Sequence, residues 1–282
     1  MKTISILFLT VSCLCITSCK FNINYPSEIE GEGDVISERF DLKSFNNLEL
    51  ERGWDVTIIP SSTNYMLVEA NENLFEVLEF ESDSGTLKIG ASKSIGKADA
   101  KLITLYFSEN LDRLEVSSGV KLTSVDDLIF KNLIMELSSG CNVELSMELK
   151  SLNLQSSSGS EASLDLNSDD LSVQSSSGSI LFIEANSITT TASASSGSSI
   201  TLRGKTNQLD VNSSSGSRIN SRNFEANSII ANASSGSGIS IYPLERLKAS
   251  SSSGGSVFYY NTPSESLIVN ESNSGGSIKL KQ

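Results

Sequence analysis

Serine is the residue whose recurrence most invites a chemical reading. Ser-Ser-Gly, or a close variant, ends at Gly119, Gly140, Gly159, Gly178, Gly197, Gly216, Gly236, Gly254 and Gly275. A serine hydroxyl becomes a nucleophile only beside a base that takes its proton. The chain contains 0 histidines, which removes Ser-His-Asp and Cys-His pairs and the commonest metal ligand together. The carboxylate pairs Asp126-Asp127 and Asp169-Asp170 could supply acid and base, but each is expected in an inter-strand loop with no matching base. Solvated loop charge accounts for them. Calcium-binding repeats place Asp two residues after a glycine; here that position holds Lys121, Asn142, Glu161, Ile180, Ser199 and Arg218. The same mixture argues against a catalytic cluster on one outer column. The sequence therefore predicts no catalytic, cofactor-binding or metal-binding residue, and not an enzyme.

Cysteine leads to the N-terminus. Met1-Lys2 precede an apolar run through Ile16, too short and too polar to span a bilayer but suited to a signal peptide. It closes with Ile16-Thr17-Ser18-Cys19, which is similar to the lipobox of bacterial lipoproteins. That resemblance implies cleavage before Cys19, lipidation there and stable anchoring by more than one acyl chain. Residues 1–18 are then the signal peptide and 19–35 the lipidated Cys and tether. With Cys13, Cys15 and Cys19 so used, Cys141 alone is left, without a disulfide partner and expected as a buried thiol.

What could position the serines is the repeat itself. Successive motif glycines lie 21, 19, 19, 19, 19, 20, 18 and 21 residues apart. A period near 20 signals a solenoid. Counting from each glycine, apolar residues recur at −7 (Leu152, Leu171), −5 (Leu154, Val173), +3 (Ala162, Leu181) and +5 (Leu164, Ile183). These offsets share one parity, so on strands they face one interior. Asn153, Gln155, Glu161, Ser163 and Asp165 fall between them and face water. One such coil cannot bury its apolar face alone, so coils must stack with strands in register. The expectation is an all-β, single parallel β-solenoid of about nine coils of about 19 residues, right-handed by the default for parallel crossovers. Parity also puts Ser at −1 inward as a hydroxyl ladder from coil to coil. The glycine itself either takes φ > 0 at a corner or admits a neighbouring backbone.

Residues 36–110 lack the motif and read as short strands, with one helical turn at Asn71–Phe75 and a hairpin turn at Ser82-Asp83-Ser84-Gly85. A terminal coil must hide its hydrophobic end and strand edges, so this segment is expected to be a β-rich cap, with 111–282 as the repeat solenoid. Apolar content of 38% would suggest disorder if it were scattered, but the columns concentrate it. A net charge of −13 repels a nucleic-acid backbone.

Beyond the lipobox, Phe45-Asn46-Asn47-Leu48, Gly53-Trp54-Asp55-Val56-Thr57-Ile58 and the strand from Leu111 into the Ser-Gly coils carry a resemblance to the "putative auto-transporter adhesin, head GIN domain" family of Bacteroidota. The resemblance covers residues from about 36 to 282. It implies a β-solenoid envelope protein with an adhesive role and no enzymatic residues to carry over. The expected function is a non-catalytic, structural or adhesin-like lipoprotein on the outer membrane of a Gram-negative bacterium, with the periplasmic face slightly favoured because residues 20–24 contain no acid. Its partners would be the membrane, through the lipid, and a glycan or an envelope or host protein. A glycan-binding module would need an exposed aromatic platform, for which Phe182, Tyr242, Phe258 and Tyr260 are the candidates. A carbohydrate-active enzyme would need clustered outer acids or bases.

Overall fold

The computed structural model describes residues 28–271 and 274–281; the expected signal peptide, Cys19 and most of the expected tether lie outside them. The structure is all-β apart from one short 3₁₀ turn, Glu72–Leu74, at the expected place.

The repeat folds as a parallel β-solenoid. Strands β10 (Leu128–Leu137), β11 (Asn142–Ser156), β12 (Glu161–Ser175), β13 (Ile180–Ala194), β14 (Ser199–Ser213), β15 (Arg218–Ala233) and β16 (Gly238–Ser251) stack one upon the next in parallel register. Three shorter strands, β17 (Ser256–Tyr259), β18 (Ser266–Glu271) and β19 (Ser277–Leu280), close the far end. Identical offsets pair from β10 to β15: Leu152 with Leu171, Leu171 with Thr190, Thr190 with Leu209. The alternation along β12 buries Ala162, Leu164, Leu166, Leu171 and Val173, so the four apolar columns form one continuous core. The last coil departs from its predicted register. Leu247 pairs with Leu267 rather than with Ile268, whose side chain is exposed, because the extra residue of that 21-residue interval falls after β18.

The N-terminal segment joins the same stack. It comprises β1 (Val35–Asp41), β2 (Asn47–Leu50), β3 (Asp55–Pro60), β4 (Tyr65–Asn71), β5 (Leu78–Asp83), β6 (Thr86–Ala91), β7 (Lys101–Phe107), β8 (Arg113–Val116) and β9 (Lys121–Ser124). β2 lies between β6 and β8, and β3 between β7 and β9, all in parallel. Antiparallel pairing then takes over, β1 with β4, β4 with β7 and β5 with β6, turning the strand direction at that end of the rod. Trp54 is buried and donates its Nε1 proton to the Gly90 carbonyl at 2.9 Å, tying the first coil to this end.

The serine turn corrects the parity argument. Serines at −1, such as Ser158, Ser177 and Ser196, are exposed rather than inward. Each carries positive φ, +51° at Ser177, followed by +73° at Gly178. Two successive positive φ values, with the Ser179 amide donating to the Ser176 carbonyl at 3.1 Å, define a type I′ turn. Alternation holds to position −3; the two left-handed residues then swing outward and alternation resumes at +1. The buried serines are accordingly at −3 and +1: Ser156 and Ser160, Ser175 and Ser179, Ser213 and Ser217. The −1 hydroxyls therefore do not form the expected inward ladder.

Candidate functional site

At the buried turn serines the +1 hydroxyls are spent on the backbone. Ser179 Oγ lies 3.0 Å from the Ser156 carbonyl of the preceding coil and 2.9 Å from the Ser176 carbonyl of its own turn. One hydroxyl carries one proton, and with that proton on a carbonyl the 2.8 Å contact between Ser175 Oγ and Ser179 Oγ is donated by Ser175. The same set recurs at Ser213–Ser217, with the Ala194 carbonyl as the inter-coil acceptor. A hydroxyl at +1 thus cross-links successive coils where strand pairing gives way to the turn. These serines are structural cross-links; the exposed ones at −1 sit on turns in a chain without histidine.

The motif glycine has one cause of the two foreseen. At Gly178 the space a Cβ would occupy holds nothing within 4 Å, so the left-handed conformation alone selects glycine there. An additional copy of the turn, missed in the sequence for want of serine, is Arg52-Gly53, with φ of +69° and +84° between β2 and β3.

The turns flank a groove of about 940 Å³ that follows the rod axis. One wall is the outward column at −4, with Gln155, Gln174, Asn212 and Asn232; the floor is the −3 column, small from Ser156 onward and Leu50, Val116 and Leu137 in the N-terminal coils, and the other wall is the −2 serines. The amide of Asn232 donates to the Asn212 side-chain oxygen one coil away at 2.9 Å, and Asn212 donates to Asp210 at 2.9 Å. Carboxylates stand only at the ends, Glu49, Glu51, Glu115 and Glu136 toward the N-terminal coils and Glu271 toward the other. Arg113 binds Glu115 and, at 2.8 Å, Glu136; these contacts raise its pKa, the Glu115 hydrogen bond most.

A second, smaller cleft of about 530 Å³ opens beside β9 to β14. There Phe182, 47% exposed, stands among Asp127, Glu144, Asp165, Glu184 and Arg203. Ser146 donates to Asp127 across the coil step at 2.5 Å. Of the other candidate aromatics, Tyr260 lies under the Arg222 guanidinium (4.8 Å) and Phe258 under the Lys281 ammonium (4.9 Å), and Tyr242 is half-buried. Phe182 alone among the four presents an open ring.

Asp126-Asp127 occupy the loop between β9 and β10 as expected, but Asp169-Asp170 do not lie in a loop. They sit inside β12 at a bend where two successive residues face out, and Asp170 accepts the Thr189 hydroxyl of the next coil. No group of three or more metal-ligating side chains occurs among the described residues. Cys141 is free and buried in the +1 column, and burial pushes its thiol up to about 11.

The family model described as "Putative auto-transporter adhesin, head GIN domain" matches residues 44–181 and again 161–263. The chain belongs to this family. The head GIN domain matches overlap over 161–181, as a repeat allows when one model can be laid on it at two positions. Solved structures share the fold. A "putative adhesin" from Parabacteroides merdae is 17% identical, with a TM-score of 0.67 over 90% of this chain and 99% of that one. A second "putative adhesin", from Parabacteroides distasonis, is 14% identical with a TM-score of 0.68, over 90% and 100%. A "putative lipid binding protein" from Parabacteroides distasonis is 19% identical with a TM-score of 0.62, over 91% and 100%. No curated protein matches the sequence.

Proposed function

We propose that this head GIN domain protein is a non-catalytic, adhesin-like component of the cell envelope. In this reading the lipid on Cys19 holds it to the outer membrane and the stacked coils present repeated side chains to a partner. The observation that carries the reading is the family match across residues 44–263, together with turn serines whose hydroxyls are committed to backbone carbonyls rather than to a base. Solenoids make extended binding surfaces because each coil repeats the same outer columns. Metabolic labelling with a radiolabelled fatty acid tests the anchor: label is expected in the native chain and lost in Cys19→Ala. Antibody labelling of intact against permeabilised cells distinguishes the periplasmic face, favoured here, from the surface. Adhesion is tested by deleting the gene and restoring it. Cells lacking the protein are expected to adhere less to glycan- or matrix-coated surfaces, or to lose envelope integrity. Unchanged adhesion and envelope behaviour would overturn the proposal.

A second reading, a glycan-binding module, is favoured by Phe182. An open aromatic ring flanked by carboxylates and a guanidinium offers a stacking face beside acceptors and donors for sugar hydroxyls. Loss of glycan-array signal in Phe182→Ala is the outcome that supports it.

A further inference from the structure

We propose that the axial groove beside the serine turns is a binding site for a neutral, unbranched polysaccharide lying along the rod; this rests on the adhesin-like reading above and names its ligand class. Four observations carry it. The groove is continuous from the Glu49 coil to the Glu271 coil. At about 4.8 Å per coil step it runs roughly 40 Å, which suits a polymer rather than a compact molecule. Its wall repeats an amide at the same height on successive coils, at Gln155 and Gln174 and again at Asn212 and Asn232. An amide both donates and accepts, as a sugar hydroxyl does, so the column can serve each unit of a polyol in turn.

Charge narrows the class. Between its two ends the groove is lined by serines, amides and alanines, with carboxylates confined to the ends. A polyanion entering it would find no lysine or arginine lining the walls, and the cations nearest its N-terminal end are already engaged, Arg113 with Glu115 and Glu136 and Lys88 with Glu51. The backbone separates a polysaccharide from an extended peptide. Extended peptides bind sheets chiefly through main-chain pairing. Along this groove the main chain is already committed from coil to coil: the Ser176 amide donates to Ser156, Ser195 to Ser175 and Ser214 to Ala194. The small floor residues offer no pocket for peptide side chains. Recognition has to come from side-chain amides and hydroxyls, which is what a polyol needs.

The test is affinity electrophoresis of the full chain in mild detergent. Native gels are cast with a neutral linear polysaccharide (a β-glucan, a linear mannan or hydroxyethylcellulose), with alginate as the polyanion, or with no polymer. The expected result is retardation in at least one neutral gel and none in alginate. Gln155→Ala/Gln174→Ala is expected to weaken the retardation about tenfold, as two lost hydrogen bonds would. Ser176→Tyr, which plugs the groove, is expected to abolish it. Both groove variants change side chains on the surface, and unaltered thermal unfolding identifies those that fold. The inference is overturned by absence of retardation in every neutral gel, by retardation indifferent to both groove variants, or by tighter binding of an extended peptide library. Adhesion that survives the groove variants would sink this inference and leave the adhesin-like reading standing. Loss of the adhesin-like reading shows separately, in the deletion strain.

Discussion

Replacing Gly178 by Val loads one corner of the rod with strain and nothing else. A Cβ there meets no atom within 4 Å, so the added Cβ overlaps nothing, and the amide keeps its 3.2 Å bond to the Ser196 carbonyl. What changes is the cost of holding φ at +73° with a β-branched side chain. Left-handed backbone costs an L-residue about 1–3 kcal/mol, the upper end applying to β-branched residues. Loss of glycine's freedom in the unfolded chain returns about 0.4–1 kcal/mol. The net expectation is destabilisation by about 2 kcal/mol, or a fall of roughly 4–8 °C in Tm at this chain size. Gly178→Asn has the same open space but a side chain that tolerates this region, so it is expected to cost less than about 1 kcal/mol. Thermal and urea unfolding followed by circular dichroism measure both. Equal effects of Val and Asn, or no effect of Val, would refute the conformational account of the motif glycine.

Other substitutions separate other causes. Gly204→Ala, at φ +105° where a Cβ would lie 2.1 Å from the Ala185 carbonyl oxygen, adds overlap to strain and is expected to cost about 2–4 kcal/mol in the same unfolding assay. Cys141 is expected to resist alkylation by iodoacetamide in the folded protein and to react fully in urea, since its thiol is buried and titrates near 11. The sign of the pH effect follows from the raised value. The unfolded thiol ionises near 8.5, the folded one only near 11, so stability is full below about 8.5 and falls as pH rises from there toward 11. Urea midpoints at pH 7 and pH 10 are expected to differ less in Cys141→Val than in the native chain.

The columns at −7, −5, +3 and +5 were legible because strand alternation is a property of the chain that burial must respect: Leu152, Leu154, Ala162 and Leu164 are all buried. Parity failed at the serine turn, where the backbone leaves the extended region. Nothing in a hydrophobic pattern says that two residues in succession take positive φ, so Ser177 was assigned to the interior when Ser179 occupies it. The Arg52-Gly53 turn was hidden for the complementary reason: the geometry needs a glycine, and the serines are replaceable. The bend that holds Asp169-Asp170 within a long strand gave no glycine or proline to mark it. The groove was half visible. Glu115, Glu136, Gln155, Gln174, Asn212 and Asn232 form a polar column at −4, but its concavity depends on the small −3 floor and on turns that swing outward.

The serine turn can be tested most directly with two neighbouring hydroxyls. Ser179→Ala deletes the donor to the Ser156 and Ser176 carbonyls and strands the Ser175 hydroxyl in a buried site, an expected loss of about 1–2 kcal/mol. Ser177→Ala removes an exposed hydroxyl and is expected to stay within about 0.5 kcal/mol of the native chain. Urea midpoints of the two variants, measured side by side, are expected to fall in that order, and a larger loss in Ser177→Ala than in Ser179→Ala would contradict the account of the turn.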